Sequence, residues 1–168
     1  MITKNITLPN NVKPRIVIKN FDPDYKQDFI RLFVKTFTQA PWFEQWTEKK
    51  AAAIFHRIIK KTYSGYTAFR KDIPVGFIVG YSLGDFFPLN KLFYLDQLFI
   101  DSENQNSGVG GSIIERLIDE LKAKKIKLII LLTKNKSVAQ KFYQKRGFKK
   151  IISIIQIKEI IIMYRILS

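Results

Sequence analysis

The hydrophobic and polar positions of the chain fall into segments with two different periods. Residues 14–20 (PRIVIKN) alternate apolar and polar side chains behind a proline, which predicts an edge strand. Asp22 as N-cap and Pro23 as first helical residue open a helix, on which Phe29, Leu32, Phe33 and Phe37 recur on one face until Pro41 breaks the chain. Thr47 caps a second helix running to about Lys61, with Ala51, Ile54, Phe55, Ile58 and Ile59 as its apolar stripe. Gly65 ends that region. Residues 66–70 and 73–82 read as a hairpin around a short turn at Lys71 and Asp72, with Pro74 early in its second strand. Residues 92–101 (LFYLDQLFID) make a further strand.

From Gly108 to about Lys124, Ile113, Ile114, Leu117, Ile118 and Leu121 have helical spacing, and Lys127 to Thr133 is a continuous apolar run suited to a buried strand. A helix from about Lys136 to Arg146 ends at Gly147, after which Phe148 to Ile154 and Glu159 to Leu167 read as two closing strands rich in β-branched residues. The order β-α-α-β-β-β-α-β-α-β-β predicts an α/β fold, of mixed α+β character, around one mixed sheet. No internal repeat or long linker divides the chain, so residues 1–168 are expected to form a single domain.

Composition narrows the chemistry. The 168 residues contain no cysteine and one histidine, which leaves no disulfide framework, no Cys-rich zinc site, no cysteine nucleophile and no multi-histidine centre. No metal is expected. His56 sits inside the second helix between Phe55 and Arg57 and is assigned no role; no Gly-x-Ser-x-Gly elbow exists for it to serve as a triad base. No apolar run exceeds Leu128 to Leu132, against the roughly 20 residues of a membrane-spanning helix. The first 20 residues are broken by Lys4, Asn5, Pro9, Asn10, Asn11, Lys13 and Pro14, so no signal-peptide core is present. A soluble, cytoplasmic protein with no membrane partner is expected.

The net charge of +15 is uneven, with +12 in residues 121–168 and +3 in residues 1–120. Such a field attracts anionic partners such as nucleotides, phosphates or nucleic acid. A bias toward Lys and Ile across the whole chain would produce the same excess.

The segment Gln105-Asn106-Ser107-Gly108-Val109-Gly110-Gly111-Ser112 lies between a strand and an amphipathic helix. Bare glycines there let a phosphate approach main-chain N–H groups, and the helix N-terminus favours an anion. Read by itself, such a turn is either a diphosphate cradle or simply a tight connection. No Lys-Ser or Lys-Thr pair follows the glycines, as a P-loop needs, and the third glycine of a dinucleotide fingerprint is out of register.

Taken together, Leu98-Phe99-Ile100, then Gln105-x-x-Gly108-x-Gly110, then Ala139-x-x-Phe142-Tyr143-x-x-x-Gly147-Phe148 resemble the acyl-CoA-binding core of the GNAT superfamily of N-acetyltransferases. The resemblance covers residues 92–150 well and the full element order plausibly. More loosely, Ala40-Pro41-Trp42-Phe43-Glu44-x-Trp46-Thr47 is similar to bacterial members related to aminoglycoside acetyltransferases. The resemblance implies acetyl-CoA as cosubstrate and a strand from Asp96 to Ile100 that splays from its neighbour. Leu98, Phe99 and Ile100 would then meet the pantetheine arm, and Gln105 to Ser112 (Asn106, Ser107, Gly108, Val109, Gly110 and Gly111 between them) the pyrophosphate. Many members carry an asparagine three residues before the alanine; here that position is Lys136, so the role passes to Asn135. A homodimer is compatible with the resemblance.

Transfer of an acetyl group from a thioester to an amine needs a deprotonated amine and a proton for the departing thiolate. Tyr143 matches the family tyrosine that protonates the sulfur of CoA; its other reading is packing beside Phe142. Asp96 is the candidate base, and strand alternation puts it on the face of Leu98 and Ile100. Its other reading is a structural hydrogen bond or salt bridge, with Tyr94 as the reserve base. Acceptor contacts are expected from Trp42, Phe43 and Glu44, with Trp46, and from Asp85 and Phe86, with Phe87 and Pro88; such aromatic and acidic loops suit an amine, or else they close the core. The positive field disfavours a polycationic acceptor and leaves a small amine or a peptide amine. The rival classes are a nucleic-acid-binding module on Lys141, Lys145, Arg146, Lys149 and Lys150, and a CoA-binding protein without catalysis. Nucleic acid is not the expected partner, because no recognition helix or RNA-binding motif is present.

Overall fold

The computed structural model describes residues 15–61, 63–83, 91–151 and 159–167. Within them the elements follow the expected order: β1 (Ile16–Asn20), α1 (Lys26–Thr38), α2 (Glu48–Ile59), β2 (Tyr63–Arg70), β3 (Ile73–Ser82), β4 (Leu92–Ile100), α3 (Val109–Ala123), β5 (Leu128–Lys134), α4 (Val138–Gln144), β6 (Lys149–Lys150) and β7 (Ile160–Ile166). One mixed sheet runs β1-β2-β3-β4-β5-β7-β6, with β4 and β5 the only parallel neighbours among the described residues. The crossover through α3 is what a parallel pair requires.

Local chemistry sets most boundaries. The Asp22 carboxylate accepts the Asp24 N–H at 2.9 Å and starts a 3₁₀ turn (Pro23–Tyr25) that feeds α1, so the α-helix proper begins later than Pro23. The Thr47 hydroxyl accepts the Lys50 N–H at the start of α2. Lys71 and Asp72 both hold positive φ, at 49° and 59°, the twist a two-residue hairpin turn needs. Gly147 closes α4 at φ 78°.

Three expectations change. Gly65 lies inside β2 rather than before it, because a Cβ there would strike the Ile78 carbonyl oxygen of β3. The last helix starts at Val138, since Lys136 takes φ 58° and Ser137 becomes the N-cap, accepting the Gln140 N–H at 3.1 Å. The apolar run of β5 is buried on one face only: Ile129 and Leu131 are buried, whereas Leu132 is 52% exposed. Helices α1 and α2 pack over β3 and β4 and leave the other face of β5 partly uncovered. The expected strand 148–154 is described only as far as residue 151.

Two cores flank the sheet. On one face Phe29, Phe33 and Phe55 of α1 and α2 meet Phe77 and Phe99; on the other Ile113, Ile114, Leu117, Ile118 and Leu121 of α3 meet Ile78, Phe93, Leu95, Ile129 and Met163. Burying side chains of this size contributes about 1.5–3 kcal/mol each relative to exposure, so these cores hold α1 and α3 firmly on either side of β4.

That strand carries two irregularities. It pairs with β5 only from Leu92–Leu128 to Leu95–Leu131, so from Asp96 onward the two strands part. Against β3, Val79 faces Gln97 while Gly80 faces Leu95, which leaves Asp96 as the extra residue of a β-bulge.

Candidate active site

Where β4 and β5 diverge, a cavity of about 500 Å³ opens. The unpaired half of β4 contributes Leu98, Phe99 and Ile100, and the following turn contributes Gln105, Asn106, Gly108, Gly110 and Gly111. Helix α4 and its flanks contribute Val138, Ala139, Lys141, Phe142, Tyr143, Lys145 and Arg146; α1 and the loop after it contribute Thr36, Phe37, Pro41 and Trp42.

The turn combines two residues at positive φ with unpaired main-chain donors. Gly108, the N-cap of α3, sits at φ 87°, and Asn106 at φ 56°. Among the described residues, no main-chain hydrogen bond takes up the N–H groups of Asn106 to Gly111. The loop is fixed instead by side chains: Gln105 Nε2 donates to the Ile100 carbonyl at 3.0 Å, and Ser107 Oγ to the Asn104 carbonyl at 2.6 Å. A Cβ on Gly110 would come within 3.2 Å of the Phe142 ring, and one on Gly111 within 2.6 Å of Arg146 Nη2. The glycines thus let α4 close against α3 while keeping the N–H groups free for a ligand. Arg146 lies over the Phe142 ring at 3.7 Å and donates to the Phe142 carbonyl at 3.0 Å. Three cations and the helix N-terminus therefore face the cavity, and among the described residues no acidic side chain lines it.

Tyr143 is buried between Phe142 and Phe148, with ring centroids 5.3 and 5.5 Å away, and it lines the cavity. Burial pushes its phenol well above the ordinary tyrosine range, so it carries its proton throughout the neutral range.

Asp96 does not share a face with Leu98 and Ile100. The bulge breaks the alternation, so Leu98 and Ile100 turn toward the α3 core while Asp96 turns toward α2. There Arg57 Nη2 donates to both carboxylate oxygens, at 2.8 and 2.9 Å, and Gln97 Nε2 donates at 3.3 Å. The Asp96 side chain is 3% exposed and does not line the cavity. Burial raises its pKa above the usual carboxylate value, and the Arg57 charge works against that rise. Tyr94 stays beside it, pushed up to about 12 by burial and then by the Asp96 charge.

The family model of the acetyltransferase (GNAT) domain matches residues 21–164. The chain belongs to the GNAT acetyltransferase family. Solved GNAT structures share its fold. A GNAT acetyltransferase of Staphylococcus aureus Mu50 is 22% identical with a TM-score of 0.73, covering 92% of this chain and all of its own. The PaiA N-acetyltransferase of Thermoplasma acidophilum, solved with coenzyme A, is 18% identical with a TM-score of 0.71, covering 90% and 99%. The ribosomal-protein-S18-alanine N-acetyltransferase of Escherichia coli is 18% identical with a TM-score of 0.70, covering 92% and 95%. Among curated proteins, no sequence matches.

In this GNAT domain the expected site residues separate into two groups. Leu98, Phe99, Ile100, Gln105, Asn106, Gly108, Gly110, Gly111, Tyr143 and Trp42 line the one cavity. Asp96, Val109, Ser107, Ser112, Asn135, Phe43 and Glu44 lie outside it. Val109 is buried in the α3 core, Ser107 braces the turn, and the Ser112 hydroxyl faces the Gly108 carbonyl. Asn135 donates its N–H to the Glu159 carbonyl at 2.6 Å, and its Oδ1 faces Lys150 Nζ. Phe43 is 74% exposed, and Glu44 accepts the indole N–H of Trp46 at 2.7 Å, whose ring packs on Phe33. Asp85 and Phe86 fall outside the described residues. The sequence reading gave no place at the site to Thr36 and Phe37, and Lys141, Lys145 and Arg146 were expected only on the rival nucleic-acid surface, not in this cavity. A signal existed for the cations: Lys141 and Lys145, four apart on one helix, share a face.

Among the described residues, no group of His, Cys, Asp and Glu is placed to hold a metal ion, and no helix is long and apolar enough to cross a membrane.

Proposed function

We propose that this single domain is a cytoplasmic, acetyl-CoA-dependent N-acetyltransferase that moves the acetyl group to a primary amine of a small molecule or peptide, by direct transfer in a ternary complex. The observation that carries this reading is one cavity with an anion cradle at one end and a buried, protonated phenol within reach of the same space. The residues present fit the cosubstrate. Free N–H groups from Asn106 to Gly111, with Lys141, Lys145 and Arg146, suit the diphosphate, and the apolar surface of Leu98, Phe99, Ile100, Val138, Ala139 and Phe142 suits the arm that leads to the sulfur. The coenzyme A bound to the Thermoplasma acidophilum neighbour supports this choice, and the Escherichia coli neighbour supports a peptide amine as one acceptor class.

Acetyl-CoA supplies an activated thioester acyl group. The Tyr143 hydroxyl gives its proton to the departing thiolate sulfur, which keeps the CoA thiol from re-attacking the product. Asp96 takes the proton of the attacking amine through water, since its carboxylate lies outside the cavity lining. Leu98 and Ile100 exclude bulk water from the reacting carbonyl.

Replacing Tyr143 by Phe removes one hydroxyl and leaves the ring packing intact. Turnover, followed as free CoA thiol released in the presence of an amine panel, is expected to fall by roughly 100-fold or more, while acetyl-CoA affinity by calorimetry stays near wild type. Undiminished turnover in that variant would remove Tyr143 as the acid.

A further inference from the structure

Arg57 carries more donors than its ion pair uses. It holds the buried Asp96 carboxylate through Nη2 alone, which donates to both oxygens at 2.8 and 2.9 Å. A guanidinium has five N–H donors and never loses its charge. Among the described residues, Nε and Nη1 have no hydrogen-bond partner, and the Arg57 side chain is 49% exposed. The pair with Asp96 thus fixes the guanidinium in place and leaves its remaining donors unused.

A second cation joins it. Lys61, four residues further on, places Nζ 4.4 Å from the centre of the Tyr81 ring, and Tyr81 packs on Tyr94 at 5.4 Å. The Arg57 charge acts on the Tyr81 phenol and the Lys61 charge on Asp96, so these side chains form one group. Two cations stand there against one carboxylate, an excess of one positive charge beside tyrosine rings. Asp96 is the first residue of β4 beyond its pairing with β5, and Arg57 reaches it from α2. Phe37 and Phe99, which line the cavity, lie on that same α1–α2 face of the sheet. The glycine turn and α4 pack with the opposite core, so the cationic excess at Arg57 is separate from the one that faces the diphosphate.

We propose that Arg57 and Lys61 bind the carboxylate of an amino-acid acceptor, so that the acceptor is a small amine with a carboxylate one carbon from its nitrogen; the proposal rests on the acetyl-CoA reading above. A carboxylate held at Arg57 brings the amine of the same molecule beside Asp96. The amine nitrogen then bonds to the acetyl carbonyl carbon and gives its proton through water to Asp96. The carbon–sulfur bond breaks, and the sulfur takes its proton from Tyr143. The products are an N-acetyl amino acid and the CoA thiol.

The experiment measures kcat/KM at saturating acetyl-CoA for a panel of free α-amino acids, the matching amino-acid amides and plain alkylamines, in wild type, Lys61→Gln and Arg57→Gln. The amide differs from the acid in lacking the negative charge, and its amine is the less basic, so a preference for the acid has to come from the protein. Wild type is expected to acetylate at least one free acid about tenfold or more efficiently than its amide. Each variant is expected to lower that acid-to-amide ratio by roughly three- to tenfold, with the loss in Lys61→Gln falling on KM for the acid. A merely structural role lowers acid and amide together and leaves the ratio unchanged. If Arg57→Gln loses all turnover through Asp96, the wild-type ratio and Lys61→Gln decide. Amides or alkylamines acetylated as well as the acids by wild type, or a ratio that stays unchanged in either active variant, overturn the proposal. So does a protein that binds acetyl-CoA in calorimetry and acetylates none of the acids; the transferase reading then stands on whichever other amines react. A protein that fails to bind acetyl-CoA overturns that reading and this proposal with it.

Discussion

At the scale of single residues, the decisive pair is Asp96 and Arg57. Burial of the carboxylate favours its neutral form, and the guanidinium, donating to both oxygens, opposes that shift. If Asp96 is the base, as proposed, turnover falls as pH drops through its pKa, and that limb lies above the ordinary aspartate value. Removing the Arg57 charge leaves burial unopposed and raises the pKa further. The acid limb of the kcat profile of Arg57→Ala is therefore expected at higher pH than in wild type, and in Asp96→Asn the limb should vanish along with most turnover. A limb that stays in place when Arg57 is removed would show that another group is the base. Tyr94 is a poor substitute, since a phenol pushed up to about 12 holds its proton at neutral pH.

At the scale of elements, the turn from β4 to α3 joins conformation to binding. Gly108 takes φ 87° with open space where a Cβ would go, so its substitution tests backbone strain without a clash. Gly108→Ala is expected to lose about 1–2 kcal/mol of stability in a denaturant titration, with a loss of acetyl-CoA affinity as the free N–H groups rotate away. An affinity unchanged beside a lowered midpoint would make the turn a connection rather than a cradle. The place of this turn was legible in the sequence, because glycines between a strand pattern and a helix pattern have a direct conformational meaning, while its role stayed open between a cradle and a tight connection. The bulge at Asp96 was not: β4 reads as a regular strand from its own residues, and the irregularity comes from its register against β3. Gly80, an isolated glycine inside the opposite strand, was the available sign, since a Cβ there would strike the Tyr94 carbonyl oxygen. Missing it placed Asp96 on the wrong face. The start of α4 was misplaced for a similar reason, with Ser137 capping where helical periodicity alone extended the helix to Lys136. Thr36 and Phe37 had no signal at all, because the cavity they line is formed by distant segments.

At the scale of the whole molecule, the excess positive charge has two competing meanings, and the structure divides the basic residues between them. Lys141, Lys145 and Arg146 line the cavity; Lys149 and Lys150 are exposed on β6 and lie outside it. If the charge serves the cosubstrate, only the first group matters locally, while the net +15 accelerates the approach of the anionic ligand from a distance. Lys141→Gln with Lys145→Gln should then weaken acetyl-CoA binding and flatten its dependence on salt, whereas Lys149→Gln with Lys150→Gln should leave its affinity near wild type. A nucleic-acid surface makes the opposite demand, because phosphate contacts contribute to the salt slope wherever they lie along the duplex. Titrating the same variants with duplex DNA and with acetyl-CoA, from about 50 to 200 mM salt, decides between the two. Steep salt-dependent DNA binding that weakens equally in both double variants, with acetyl-CoA unaffected by either, would give the basic surface to nucleic acid. Loss confined to acetyl-CoA and to the Lys141 and Lys145 variant would instead make the charge of the C-terminal third a property of the cosubstrate site.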